Sequence, residues 1–299
     1  MGRQEGDPAV EAPRRKRRKW PWIVGTLLAL AAIAYVETRT SWIQARLFSA
    51  WSSGITYRVR PEAESEPWQG SRGPFDVRRG YTRLADISAA MDEHGYRVDA
   101  QARISGRFRR SLDLGLYPVY PEQPQAGLTI ADREGEVLYR SLHPAGIYES
   151  FDAIPPPVVE ALVFIENREL LESDMPNRNP VVEWDRFARS IAGLLATKLG
   201  AETSRAGGST LATQIEKYKH SPGGLTRTPR DKLVQMATAT VRAYRAGPET
   251  ADERERIVVD YLNSVPLAAV AGYGEVLGLK DALRVWFGLE PERANELLH

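Results

Sequence analysis

The chain has 299 residues, 42% of them apolar, enough for one large domain or two smaller ones with a real core. A formal net charge of +1 makes no case for a nucleic-acid partner, and the lack of cysteine excludes disulfides, thiolate chemistry and Cys-ligated metals. H-E-x-x-H, a phosphate-binding P-loop and S-x-x-K are missing too, so those chemistries lack their signatures. Residues 1–13 are polar and read as disordered. Arg14 to Lys19 is an unbroken run of six basic residues, and Trp20 to Val36 follows, 17 residues without a formal charge. At about 1.5 Å per residue that stretch covers roughly 25 Å, enough to cross a bilayer with snorkelling flanks. The basic run predicts a cytoplasmic N-terminus (1–19), a transmembrane helix (20–36) and everything later on the far side. The rival reading is a signal peptide cleaved at Ala32-Ile33-Ala34, but the apolar run continues past that point.

Residues 37–74 read as a juxtamembrane segment and linker. Trp42, Ile43, Leu47, Phe48 and Trp51 predict an aromatic helix that lies on the membrane surface or packs on the following domain. Residues 60–74, rich in Pro, Glu, Ser and Gly, read as the linker. Residues 75–125 predict a small α+β module. Leu84, Ile87 and Met91 give a helix stopped at Gly95, and Tyr96, Val98, Ala100, Ala102 and Ile104 alternate as a strand. No chemical constellation stands out there, so interaction or support is its expected role. Segments 128–131 and 137–140 flank Asp132-Arg133-Glu134-Gly135 as a hairpin.

The rest is helical, and its chemistry concentrates between Phe164 and Lys217. Pro155-Pro156-Pro157 opens a helix on which Val158, Ala161, Leu162 and Ile165 form an apolar stripe, with Glu166 next on the same face. A carboxylate beside a buried stripe tends to be desolvated, which suits a general acid or base. Trp184, Phe187, Ala188, Ile191 and Leu195 make a second stripe that stops before Gly200. Gly207-Gly208 then turns into a helix with Ser209 or Thr210 as N-cap. Thr210, Gln214 and Lys217 share its polar face, and Leu211, Ile215 and Tyr218 its apolar one. Open N–H groups at that helix start, with a lysine nearby, suit a phosphate or pyrophosphate. Thr228-Pro229-Arg230-Asp231 starts another helix with Leu233, Met236, Ala237, Thr240 and Tyr244 inward. Thr250-Ala251-Asp252-Glu253 reads as a capping box ahead of Ile257, Val258, Tyr261 and Leu262.

Four of these stretches, in order, resemble the motifs of the family 51 glycosyltransferases. That family comprises the peptidoglycan polymerase domain of class A penicillin-binding proteins and the monofunctional transglycosylases. Glu166-Asn167-Arg168-Glu169-Leu170 stands at E-D-x-x-F, and Gly207 to Lys217 at G-[GA]-S-T-x-T-Q-Q-x-x-K. Asp231-Lys232-Leu233-Val234-Gln235, behind Arg227-Thr228, stands at R-K-x-x-E, and Ile257 to Asn263 at I-L-x-x-Y-L-N. The likeness covers about residues 128–299 and is silent on residues 1–125.

The resemblance implies a mainly α, lysozyme-like transglycosylase domain over residues 126–299, with a smaller membrane-facing lobe. It implies polymerisation of lipid II into glycan strands by a single-pass protein of the bacterial inner membrane, with its main domain in the periplasm. Glu166 is then the base that deprotonates the acceptor hydroxyl. Ser209, Thr210, Gln214, Lys217, Arg227, Lys232 and Gln235 bind lipid II or the lipid-linked glycan chain. A divalent cation, Mg or Mn, accompanies the reaction in some members; the motifs here contain no metal-ligand set of their own. Other cell-wall synthesis proteins are expected partners through residues 75–125. Family helices beyond His299 are expected, so the chain reads as a fragment of a longer one.

Departures from the pattern set up a rival. Asn167 replaces Asp, Ser173-Asp174-Met175 replaces H-x-G, Ala212-Thr213 replaces Thr-Gln and Asp231 replaces Arg. Gln235 replaces the second glutamate, and an amide cannot carry that charge. A degenerate relative that binds lipid II or glycan, or scaffolds partners, without turnover fits these changes. A lysozyme-like glycan-cleaving enzyme is a third reading, opposed by the basic residues and the anchor. In the bland readings Glu166 pairs with an arginine such as Arg168, Lys217, Arg227 and Lys232 are solvated surface charges, and Asn263 is structural.

Overall fold

A computed structural model describes residues 20–61, 73–120, 122–172, 174–184, 193 and 209–298. The tail and basic run of 1–19, most of the linker, the stripe from Phe187 to Leu195 with Gly200, and the Gly207-Gly208 turn lie outside the described residues. Among the described residues the chain is helix-rich, with three small two-stranded antiparallel ribbons.

Helix α1 (Trp20–Thr40) is long and apolar enough to cross a membrane, and none of its described residues is buried. Helix α2 (Trp42–Ser52) follows after one residue, Ser41, in the left-handed region at φ 52°. The corner is held by Glu37, whose carboxylate accepts the Ile43 and Gln44 N–H groups, both at 2.9 Å. These are donors a helix start would otherwise leave open. α2 packs on the domain: Phe48 stacks on Tyr244 with ring centroids 6.2 Å apart, and Ser52 Oγ donates to Tyr244 O at 2.8 Å. Ser41 Oγ also accepts the Asn179 N–H at 3.1 Å. Helix α1 is therefore joined to the domain by a fixed corner.

Strand β1 (Tyr57–Pro61) pairs antiparallel with β2 (Ala100–Ile104), placing Arg58 opposite Arg103 and Val59 opposite Ala102. Residues 60 and 61, expected in the linker, thus belong to a ribbon. The expected strand is confined to its second half, since Tyr96 and Val98 lie outside it. Between the strands run the short helix α3 (Pro74–Arg78) and α4 (Leu84–Glu93), and α5 (Gly106–Asp113) follows β2. Leu84, Ile87 and Met91 remain exposed on α4. The hairpin β3 (Ala126–Ala131) and β4 (Val137–His143) forms as expected. Asp132 Oδ1 braces its turn by accepting the Glu134 and Glu136 N–H groups.

The main core gathers Val159, Leu211, Ile215, Tyr218, Ile257, Val258 and Leu262 from four segments. These are α6 (Pro156–Glu166), α7 (Leu211–His220), α8 (Pro229–Ala243) and α9 (Ala251–Ser264), with Ala239 from α8. Leu211, Ile215 and Tyr218 point inward as their spacing predicts. Strands β5 (Pro266–Val270) and β6 (Gly274–Leu277), then α10 (Gly278–Phe287) and α11 (Pro291–Leu298), complete the fold.

Three local expectations fail. On α6, Ile165 is 74% exposed and Ala161 is also outside, while Val159 faces the core. Val158 and Leu162 of the predicted stripe do pack against the core, so only its Ala161 and Ile165 half is misplaced. On α8, Leu233 is exposed because the first turn projects past the core. Thr250 makes no capping bond; its hydroxyl donates to Pro176 O and Arg178 O, tying α9 to the 172–179 loop.

Candidate active site

Helix α7 collects the candidate residues. Thr210 is its N-cap, and Thr213 Oγ1 accepts the Thr210 N–H at 3.0 Å. The Thr210 hydroxyl is buried and donates to Val181 O at 2.9 Å, so it fastens the helix start instead of facing the groove. One turn on, Gln214 Nε2 donates to Glu166 Oε2 at 2.8 Å. Glu166 sits at the last position of α6, half-buried, at the edge of the exposed Phe164 and Ile165. Arg168 does not take the Glu166 carboxylate: it donates to Phe164 O and stacks over the Phe164 ring. Tyr261 of α9 closes the same corner. Burial, and next the charge of Glu166, push its hydroxyl above the usual tyrosine range.

The first turn of α8 brings Lys232 onto the start of α7. Its Nζ donates to Ser209 Oγ at 2.8 Å and to Thr213 Oγ1 at 3.3 Å. Burial, and after it the positive charge of Lys217, lower its pKa to about 8. Among the described residues no carboxylate forms an ion pair with either lysine. The two half-buried cations are neighbours, and the described contacts of Lys232 are neutral hydroxyls, so among the described residues no acid answers their charge.

The remaining candidates stand elsewhere. Arg227 is exposed on the loop before α8, and among the described residues no contact joins its side chain to Glu166, Gln214 or the lysines. Asp231 is the acid of a capping box: its Oδ2 accepts the Arg227 and Thr228 N–H groups, both at 2.9 Å, which lowers its pKa. Gln235 is 1% exposed. Its Nε2 donates to Ser221 Oγ and Thr226 Oγ1, both at 2.9 Å, and its Oε1 accepts from Thr226 at 3.1 Å. That amide closes the 221–228 loop and has no open valence toward the groove. Asn263 clamps the backbone of Tyr148, N–H and C=O both at 2.7 Å, a structural role.

The inner face of α7 carries residues that sequence reasoning passed over. Glu216, Lys219 and His220 enter a buried ionic cluster with Arg242 of α8 and with Asp76 and Glu122 of the 73–125 region. Arg242 Nε meets Glu216 at 2.8 Å, Lys219 meets Glu122 at 2.9 Å, and His220 Nε2 meets Glu122 at 2.8 Å. Burial alone would lower the His220 pKa, but Glu122 foremost and then Asp76 and Glu216 raise it to about 9. Half-exposed Asp260 adds a further acid at the rim, 3.7 Å from Lys219. The one signal in the sequence was the dense alternation of charge and aromatic from Glu216 to His220. A Cβ at Gly73 would lie 2.4 Å from Lys219 O, so α3 enters against the end of this helix only as glycine allows.

Among the described residues no group of three or more His, Asp or Glu is placed to hold a metal ion. Asp231 is committed to its cap and Gln235 to its loop, so neither is placed to hold Mg or Mn. No curated protein matches the chain. A family model described as Transglycosylase matches residues 135–297.

Proposed function

The chain belongs to the transglycosylase family, and from that premise we propose that it is a membrane-anchored peptidoglycan glycosyltransferase that polymerises lipid II into glycan strands. The observation that carries the reading is the Glu166–Gln214 pair set on the helix that also bears Lys217 and meets Lys232. Glu166 takes the proton of the acceptor 4-hydroxyl as that oxygen attacks the anomeric carbon of the lipid-linked chain. Gln214 orients the carboxylate. The bond from the anomeric carbon to the pyrophosphate oxygen breaks, and Lys217 and Lys232 receive the negative leaving group. Two lysines supply the positive charge that a divalent cation supplies elsewhere in the family.

The proposed setting is the bacterial inner membrane, with α1 as a single span, residues 1–19 cytoplasmic and the main domain periplasmic. Within residues 126–299 we assign a lysozyme-like domain with a smaller lobe, whose exposed Phe164 and Ile165 meet the lipid region beside the reacting sugar. Residues 75–125 serve as a docking module for other cell-wall synthesis proteins. A second reading has a specific observation behind it: Gln235 stands where the family carries a glutamate and is saturated by its own loop, as in a relative that binds lipid II without turnover. Incubating the full chain in detergent with lipid II, and resolving products by size, decides between them. Glycan strands are expected; lipid II bound but recovered unchanged would assign the binding role.

A further inference from the structure

The β1–β2 ribbon has two unlike faces. Tyr57, Val59, Ala102 and Ile104 fall on one, and Arg58, Arg60 and Arg103 on the other, with Gln101. Arg58 and Arg103 are direct cross-strand partners, and Arg60 follows two residues along the same face. Like charges placed opposite each other, roughly 5 Å apart at Cβ, are destabilising unless something answers them. Nothing in the described protein does. No carboxylate forms an ion pair with any of the three among the described residues, and the Arg103 Nε is buried with no hydrogen-bond partner. The one polar contact of the Arg103 guanidinium is Nη2 to Pro61 O, at a long 3.5 Å. The three arginines line an open groove of about 420 Å³, to which the ribbon ends at Thr56, Tyr57, Ile104 and Ser105 also contribute.

Guanidinium forks at this spacing suit a phosphate diester, which two of them hold bidentately while the third neutralises it. The ribbon's place in the chain names the source. β1 begins five residues after α2 ends, and α2 is pinned to α1 by the Glu37 corner. We infer that this groove binds the anionic headgroup of a membrane phospholipid, phosphatidylglycerol in class. The site would fix the tilt of the domain over the membrane, separately from the groove around Glu166. It rests on the reading that α1 spans a membrane, though not on turnover.

The test is lipid retention by the full chain in a non-ionic detergent, read by native mass spectrometry with added phosphatidylglycerol or phosphatidylcholine. The parent is expected to retain phosphatidylglycerol selectively. R58Q/R60Q/R103Q is expected to weaken that binding by roughly a hundredfold, while R83Q/R133Q/R293Q, with the same change in net charge, keeps it. Lysine at the three positions should give an intermediate loss, because charge remains and the fork does not. Circular dichroism of each variant checks the fold. Equal retention of the two lipids by the parent would overturn the proposal, as would unchanged selectivity in the glutamine triple. Full competition by inorganic phosphate would reduce the groove to a free-anion site. Glu62, Glu64 and Glu66 follow β1 in the sequence; selectivity that appears only in E62Q/E64Q/E66Q would mean that the chain itself fills the groove, and would also overturn it. Polymerisation is not the readout, so failure here leaves the proposed function standing. A chain that stays soluble without detergent would instead remove the membrane premise.

Discussion

Helix α7 has two charged faces, and they are built on opposite rules. On the inner face Glu216, Lys219 and His220 each meet an opposite charge within 4 Å. On the outer face Lys217 and Lys232 stand together, Lys232 on two neutral hydroxyls. The inner cluster is closed by the protein's own charges, so its task is to hold the 73–125 region against α7 and α8. The outer pair is left open, and the strain of that is visible in a Lys232 pKa of about 8. A half-buried charge with no acid beside it among the described residues favours an anionic ligand, which is why we propose the outer face as the place for a pyrophosphate.

The comparison breaks most sharply at Glu166. Glu166→Gln should lower polymerisation by ~10²–10⁴-fold, the span typical of a lost general base, with lipid II binding retained. Turnover equal to the parent's would return Glu166 to a structural role. On the inner face, Glu216→Gln removes the acid that Arg242 meets at 2.8 Å. Breaking a buried pair from one side costs about 3–5 kcal/mol, so the denaturant midpoint should fall steeply. A loss no larger than a surface pair gives would show that the cluster is wet in solution.

The same cluster carries a pH signature. The His220 pKa rises from 6.5 to about 9 on folding, so its stabilisation is fully present below 6.5 and is lost as pH climbs through about 9. Glu122 is held well below 4.5, so its share is present above 4.5 and is lost as pH falls through its depressed pKa. Stability of the parent should decline between pH 6.5 and 9, and His220→Asn should flatten that decline; an unchanged slope would take His220 out of the network.

The outer face should also weaken as pH rises, but through a lysine whose pKa is lowered by burial and by Lys217 where that of His220 is raised. Protonated Lys232 binds an anion, so affinity for pyrophosphate should fall as pH rises through about 8. Lys232→Met should weaken pyrophosphate binding by roughly 1.5–3 kcal/mol and abolish this dependence. Retention of the pH profile in the variant would assign it to another group. Smallest are the effects at the two family departures. Asp231→Asn should cost a little helix stability through the cap and leave turnover alone. Gln235→Glu should add no activity, because the groove never sees that side chain. A gain in polymer from Gln235→Glu would reverse this and make the missing carboxylate the limit.

Much of the site was legible before any coordinates. Glu166, Gln214 and Lys232 stand out as candidates from helix spacing and motif order, while the bond between Glu166 and Gln214 does not follow from either. The cap at Thr210 and the Asp231 box follow from side chains that reach three residues along their own backbone. The 126–143 hairpin was set by its Asp–Gly turn in the same way. Each depends on neighbours in sequence, and local chemistry writes those down.

Other features depend on partners far along the chain, and only packing chose them. Ser52 finds Tyr244, β1 finds β2, and Asp76 and Glu122 find Lys219 and His220 across the buried cluster. Apolar periodicity gave α6 and α8 as helices but could not say which row would face the core, and Ile165 and Leu233 went outward. Thr250 had the letters of a capping box, yet two carbonyls of the 172–179 loop took its hydroxyl. Length, turns and caps were thus determined by the sequence itself, because their energies are local. Which face is buried, and which charge meets which, was decided by tertiary structure, since desolvation makes a buried charge viable only when a distant partner arrives with it.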